Sequence, residues 1–384
     1  MTTERDEQAS PTLEWDVGTA YDFFISYRVL ANPKQFGVRS AWASGMRARL
    51  QPDEREILDT SLLVIPTMGQ WLITLPPPKD VAHCLRALAG IEPGERLLQI
   101  GCCPEKLDEQ SPTQVLLNRV WRDGAWDEQV LKEYRSLRSN GKGSHHGGND
   151  DEKLRVILDA WANAEEFGER YLHALQSYHD VFFAEEERRI APTLDAALER
   201  AKTRAEELSF ADLMEELSQG IRYESTAGLD RLTLVPSYWV SPFIQVVRIA
   251  RGHRLWAFGA RPAHDSIVPG DPVPDALRVS LKALADPTRL RILRYLYKKP
   301  LTLSELTKQL RLRMPTVIHH MSALRLAGLV SIHVEGEEKG RRARYGTRAE
   351  GLATVAKSLE EFIEDEQASS SQDKLEGRHH AEPV

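Results

Sequence analysis

The chain has little of what builds several common protein classes. It holds three cysteines in 384 residues, and two of them, Cys102 and Cys103, are adjacent. That is too few for a disulfide framework, so packing must hold the fold together. No run of apolar residues approaches the ~18 needed for a membrane-spanning helix. The opening MTTERDEQAS lacks the basic start and apolar stretch of a secretory signal, so the protein is expected to be soluble, cytoplasmic and without a membrane partner. No Ser/His/Asp order, paired-carboxylate pattern or internal repeat stands out. No enzyme activity and no cofactor is therefore expected.

What is present is length for two or three domains, 41% hydrophobic residues, and an uneven charge. Residues 277–363 carry 17 Lys and Arg against 8 Asp and Glu, a net of +9; the whole chain is at −7, which leaves the remainder at −16. A basic module on an acidic body is the electrostatic footprint of nucleic-acid binding.

Within that module, Arg313–Leu329 reads RMPTVIHHMSALRLAGL. On a helix, Val317, Met321 and Leu324 recur at i, i+4 and i+7 as one apolar stripe. Pro315, His319 and Ser322 fall opposite, Met314, Thr316, Ile318 and Arg325 lie on the flanks, and Gly328 ends the helix. One face is built to bury, while the other is small, polar and rich in donors, as a helix in the DNA major groove requires. Upstream, Thr302-Leu-Ser-Glu305 forms a capping box before a helix that points Leu303, Leu306 and Leu310 one way. Three residues, 311–313, then make the turn of a helix-turn-helix. Asp286-Pro287 caps and starts a helix running to about Tyr297. Downstream, Leu329–Glu335 and Ala343–Thr347 suit two strands joined by a loop that holds Lys339, Arg341 and Arg342, a wing able to follow the phosphate backbone.

LKALADPTRLRILRYL, LTLSELTKQL, PTVIHHMSALRLAGLV and the wing together resemble the ArsR-type winged helix-turn-helix repressors. The resemblance implies a sequence-specific regulator, a repressor, that binds double-stranded operator DNA as a homodimer. It implies base contacts from Met314, Pro315, Thr316, Ile318, His319, His320, Ser322 and Arg325. Arg313, where the family commonly has a small capping residue, and Lys339, Arg341, Arg342 and Arg344 of the wing would hold phosphate. The dimer would pair the stripe Leu277, Leu281, Leu284 with Leu352, Val355, Leu359 and Phe362. The family's metal ligands, cysteines in the helix before the recognition helix or His and acidic residues of the last helix, have no match, since 301–310 has no Cys and 350–364 no His.

The fold class expected is α+β, mostly helical, with the C-terminal winged helix-turn-helix following a helical N-terminal domain that has a small β element. The boundaries are 13–262 for the N-terminal domain, 263–275 for a Pro-rich linker, 276–365 for the DNA-binding domain and 366–384 for a disordered tail, with residues 1–12 also unstructured. Within the first domain, helices are expected at Thr19–Leu30, Arg39–Leu50, Pro52–Ser61, Lys79–Ala89, Pro112–Arg122, Asp127–Leu137 and Phe210–Gln219. A long tract from Glu152 to about Leu208 is interrupted at Pro192. Ala197, Ala201 and Ala205 give that tract a narrow face for another helix. Arg231–Val235, Phe243–Ala250 and Arg254–Phe258 are strand-like, with a hairpin turn at Arg251-Gly252-His253. WDVGTAYDFFISYRVL and LVPSYWVSP look like parts of the large helical domain fused to some ArsR-type regulators. Such a domain would sense an unknown small-molecule effector or add dimer contacts.

Other constellations pull in different directions. Pro93–Pro104, PGERLLQIGCCP, imitates the strand and glycine turn of a methyltransferase, yet Gly101 stands alone and no acidic residue follows for a ribose. Cys102 and Cys103, with Cys84, suit a soft metal or arsenic(III), or a buried inert pair. Glu169 and His173 are an i, i+4 pair with His179 nearby, either two ligands lacking a third or a polar surface pair. His145-His146 and His379-His380 sit in polar segments. The eight tryptophans all precede the linker and suit core or an apolar ligand pocket, core being the ordinary place for Trp. A metalloid-responsive repressor, a regulator with an enzyme in 13–265 and an interaction scaffold are the alternatives.

Overall fold

Helices dominate because apolar residues recur at three- and four-residue spacing through most of the chain. The computed structural model describes residues 10–65, 67–101, 111–139, 150–223, 228–335 and 342–376. A strand β1 (Thr12–Trp15) leads into α1 (Thr19–Ala31), α2 (Ser40–Arg47), α3 (Pro52–Val64), α4 (Gly69–Leu72), α5 (Val81–Ala89) and α6 (Pro93–Gly101). Next come α7 (Pro112–Asp123), α8 (Glu128–Ser139), α9 (Asp150–Ala162), α10 (Ala164–Tyr178), α11 (Ala184–Glu207) and α12 (Phe210–Leu217). The strands β2 (Ile221–Tyr223), β3 (Arg231–Ser237), β4 (Ile244–Ala250) and β5 (His253–Gly259) follow. The C-terminal module is α13 (Asp275–Leu284), α14 (Pro287–Lys298), α15 (Leu303–Leu310), α16 (Met314–Leu326), β6 (Val330–Glu335), β7 (Arg342–Thr347) and α17 (Ala349–Glu376).

The body is built around α1, whose residues Ala20, Phe23, Val29 and Leu30 are sealed from solvent. Even its polar side chains are inside. Asp22 accepts hydrogen bonds from Ser237 Oγ and from the backbone N–H groups of Tyr238 (2.9 Å) and Trp239 (3.0 Å), which ties α1 to the end of β3. Burial pushes this carboxyl up to about 6 against those three donors. Phe23, Tyr178 and Phe183 pack as a ring cluster beside it. The sheet runs β1-β3-β5-β4, with β1 and β5 parallel to β3 and β4 antiparallel to β5. The expected hairpin is there, turning at Gly252 with φ +68°.

Several expectations change. Of residues 1–12, expected to be unstructured, 1–9 lie outside the described residues and Thr12 begins a strand; β1 and β2 are additions. Pro192 lies inside α11 without ending it; the long tract breaks at Asn163 and at a π-turn, His179–Phe183. The wider turn places Phe182 against Trp239 and its neighbour Phe183 against Phe23. Ala201 and Ala205 of the alanine face of α11 pack with Leu213 and Met214 of α12, Leu232 of β3 and Trp256 of β5, so two strands join a short helix in the place foreseen for one helix, while Ala197 belongs to the main core. Pro93–Gly101 is a helix whose Leu97 and Ile100 are buried, so the strand of the methyltransferase motif is absent there. Cys102, Cys103 and both His pairs lie outside the described residues. Trp71, Trp161, Trp239 and Trp256 are buried as core. His173, expected to pair with Glu169, is exposed and its ring lies 3.6 Å from the largely buried carboxylate of Glu54. The Pro-rich segment is docked: Ile267 is buried, and Ser266 O accepts from Tyr238 Oη (3.0 Å). Helix α17 runs on to Glu376, past residue 366 where the tail was expected to begin; 377–384 lie outside the described residues. No described helix is long and apolar enough to cross a membrane.

Candidate nucleic-acid interface

The module's core is Ile292, Leu296, Leu306, Val317, Leu324 and Leu329, drawn from every helix of the motif and from the strand-side end of α16. Asp286 caps α14 by accepting from Thr288 N (2.8 Å) and Arg289 N (3.0 Å), bonds that hold its carboxyl below the usual range. Helix α15 opens with the foreseen box: Thr302 Oγ1 accepts from Glu305 N (3.3 Å) and Glu305 Oε2 accepts from Thr302 N (2.8 Å). It ends on Arg311 in the left-handed region, φ 56°, a position usually given to glycine. That cap turns the chain sharply enough for α16 to start at Met314.

Helix α16 buries the stripe read from the sequence: Val317 and Leu324 are fully enclosed and Met321 nearly so. Arg313, Pro315, Thr316, Ile318, His319 and Ser322 are exposed together. Arg313 makes no side-chain cap, which leaves its charge at the start of that face. Met314 is half-buried and its Sδ lies 3.6 Å from Thr307 Oγ1, so it packs toward α15. His320 is half-buried near Asp286 and Arg289; burial lowers its pKa, against the pull of Asp286. Its ring stands edge-on to that of His319 at 5.9 Å.

Arg325 corrects the groove assignment. It is only 8% exposed, and its guanidinium donates to Ser218 O (2.5 Å) and Gln219 O (2.6 Å) at the end of α12. Burial and the neighbouring Arg348 lower its pKa to about 10. It satisfies carbonyls that a helix end leaves open and faces the body, not solvent. The same region supplies a contact the sequence did not reveal. Strand β2 joins the wing sheet in parallel, Ile221 beside Ile332 and Tyr223 beside Val334, with Ile332 N donating to Gly220 O (2.7 Å).

The wing is antiparallel, Val330 opposite Thr347 and Glu335 opposite Arg342. Tyr345 exchanges both backbone bonds with Leu301, and Thr347 Oγ1 donates to Leu293 O (2.9 Å), which fixes the wing's base to α14. Arg344 lies 3.8 Å from Glu305. Lys339 and Arg341 lie outside the described residues, and Arg342 is placed by its backbone alone. Of the expected dimer stripe, Leu277 and Val355 are buried within the chain, whereas Leu281 on α13 is 40% exposed and Leu359 and Phe362 on α17 are half-buried. Gly351 makes this packing close: a side chain there would strike Gly328 O, so α17 rests directly on the turn that ends α16.

Cys84 is buried, and burial with Asp80 and Glu187 nearby pushes its thiol well up, away from the thiolate a soft metal needs.

Comparison with known proteins bears on this module. The helix-turn-helix domain family matches residues 284–333, from the end of α13 to β6. No curated protein and no solved structure matches the chain significantly.

Proposed function

We propose that the chain is a sequence-specific transcriptional regulator of the ArsR type, a cytoplasmic repressor that binds operator DNA as a homodimer and is controlled through residues 13–262. The observation that carries this is the exposed face of α16. Thr316, His319 and Ser322 present hydrogen-bonding groups on the helix that the helix-turn-helix match covers, on a module of net +9. Base edges of the major groove offer donors, acceptors and the thymine methyl to such a face, and Arg313 at its start suits phosphate. The wing's Lys339, Arg341 and Arg342 extend the phosphate contact beside the groove. Dimerisation through α13 and α17 is supported by Leu281, Leu359, Phe362 and Ile363, which the chain leaves partly or largely uncovered. No catalytic role is proposed for the body.

Enrichment of bound sequences from a random duplex pool by the full chain tests this. The expected product is one motif repeated as two half-sites about 10–10.5 base pairs apart. A pool that stays unenriched while the protein binds all duplexes equally would reject sequence-specific regulation.

A further inference from the structure

Where the body meets the DNA-binding module there is a small cleft of about 140 Å³. Its polar lining includes the amide of Gln219 and is otherwise mostly cationic and hydroxylic, with Arg261, Arg348, Ser241, Ser280 and Thr354 among it. Asp275 also borders it, but its two oxygens are taken by Arg278 (2.6 Å) and by Ile267 N (2.9 Å). Arg348 has no carboxylate partner among the described residues. Arg261 donates through Nη2 to Ser241 O (3.2 Å) and lies 5.6 Å from the Tyr238 ring centre, while its Nη1 is shut off from solvent with no acceptor. A buried guanidinium left one acceptor short is costly unless something supplies it. The rest of the wall is apolar, with Phe36 from the body and Val279, Leu326 and Val355 from the module.

We propose that this cleft binds an organic monocarboxylate with an apolar body, and that its occupancy changes the affinity of the module for DNA. The carboxylate supplies the charge-assisted acceptor that the guanidinium groups lack, and the apolar part fills the space among the side chains of Phe36, Leu326 and Val355. A free phosphate fits less well, because it would leave the apolar wall of Phe36, Leu326 and Val355 uncovered. The second half rests on the reading of α16 as the DNA-contacting helix. The ligand would touch both parts at once, and Leu326, Ala327 and Gly328 are the end of that helix. Ser280 Oγ already holds Ala327 O at 3.2 Å, so the wall has little slack.

Isothermal titration of the full chain with benzoate, phenylacetate and octanoate, each beside its amide, tests the site. At least one acid is expected to bind at roughly millimolar or lower concentration, with its amide about tenfold weaker or more. Arg348→Gln is expected to weaken that acid by a similar factor. Thr354→Trp, a change at an exposed position on the cleft wall, should block it by volume. Unfolding midpoints near wild type would show that both variants are folded. Equal binding of acid and amide, wild-type binding by both folded variants, or no binding by any of the three acids overturns the site. Duplex binding with and without the acid tests the coupling: a shift of about threefold or more supports it, and an unchanged affinity overturns it. If the full chain binds no duplex at all, the reading of α16 fails, while the titration still decides the cleft.

Discussion

Arg325→Met separates two roles that one helix position can have. The guanidinium makes two charge-assisted bonds to Ser218 O and Gln219 O, and hydrogen bonds to charged groups contribute about 1.5–3 kcal/mol each. Against this stands the charge's own desolvation. A pKa lowered from 12.5 to about 10 corresponds to about 3 kcal/mol disfavouring the charged form. The Met variant keeps most of the buried stem, loses the bonds, relieves the desolvation, and leaves two carbonyls at the end of α12 open. The balance is a docking of module to body weaker by about 1–3 kcal/mol, a factor of about 5–150. Amide hydrogen exchange reads it at Ile332, whose N–H is held by Gly220 O. That amide should exchange faster by about this factor, while amides of α1 keep their protection. Base preference should not change. Unaltered exchange at Ile332, combined with lost preference at one base position, would refute the anchor and return Arg325 to the groove.

Asp22→Asn should destabilise the body by about 1–3 kcal/mol near pH 4, because an amide places a donor among donors. A carboxyl raised to about 6 contributes stability that is fully present below its ordinary value near 3.8 and lost as pH rises through 6, so the deficit of Asn should shrink between pH 4 and 7; a deficit that grows instead, in urea melts, would reverse the assigned sign. Leu359→Glu should weaken self-association and duplex binding together in sedimentation and gel-shift series, and a wild type that is monomeric at micromolar concentration yet grips a two-half-site duplex would remove the dimer. Zinc, cadmium or arsenite should leave duplex affinity of the full chain unchanged; release at stoichiometric metal that disappears in Cys102→Ser/Cys103→Ser would restore the metalloid alternative.

The exposed face of α16 was legible because it is local. Val317, Met321 and Leu324 declare the buried side of α16 by spacing alone, and the Thr302–Glu305 box and Asp286-Pro287 mark helix starts by chemistry within four residues. Arg325 was not legible, because a helical wheel places it on a flank and says nothing of Ser218 and Gln219, over a hundred residues away. β1 and β2 failed for a related reason. They are four and three residues long and pair in parallel with distant partners, so no turn announces them. Pro192 misled because proline was weighed as a helix breaker, whereas the aromatic run Tyr178–Phe183, packed against the α1 core, is where the long tract departs from α-helix. The cleft lining is drawn from Phe36 to Ser358, which no pattern within a window can assemble.

The central claim, that α16 reads bases while the wing holds phosphate, is tested most directly by salt-dependent binding of two variants to an enriched duplex and its scrambled counterpart. His319→Ala should cost about 1–3 kcal/mol on the enriched duplex only, relaxing preference at one base position with the salt slope unchanged. Arg342→Ala should weaken both duplexes alike and lower the slope by roughly 1. Uniform weakening by His319→Ala together with altered base preference in Arg342→Ala would contradict the assignment of groove and backbone.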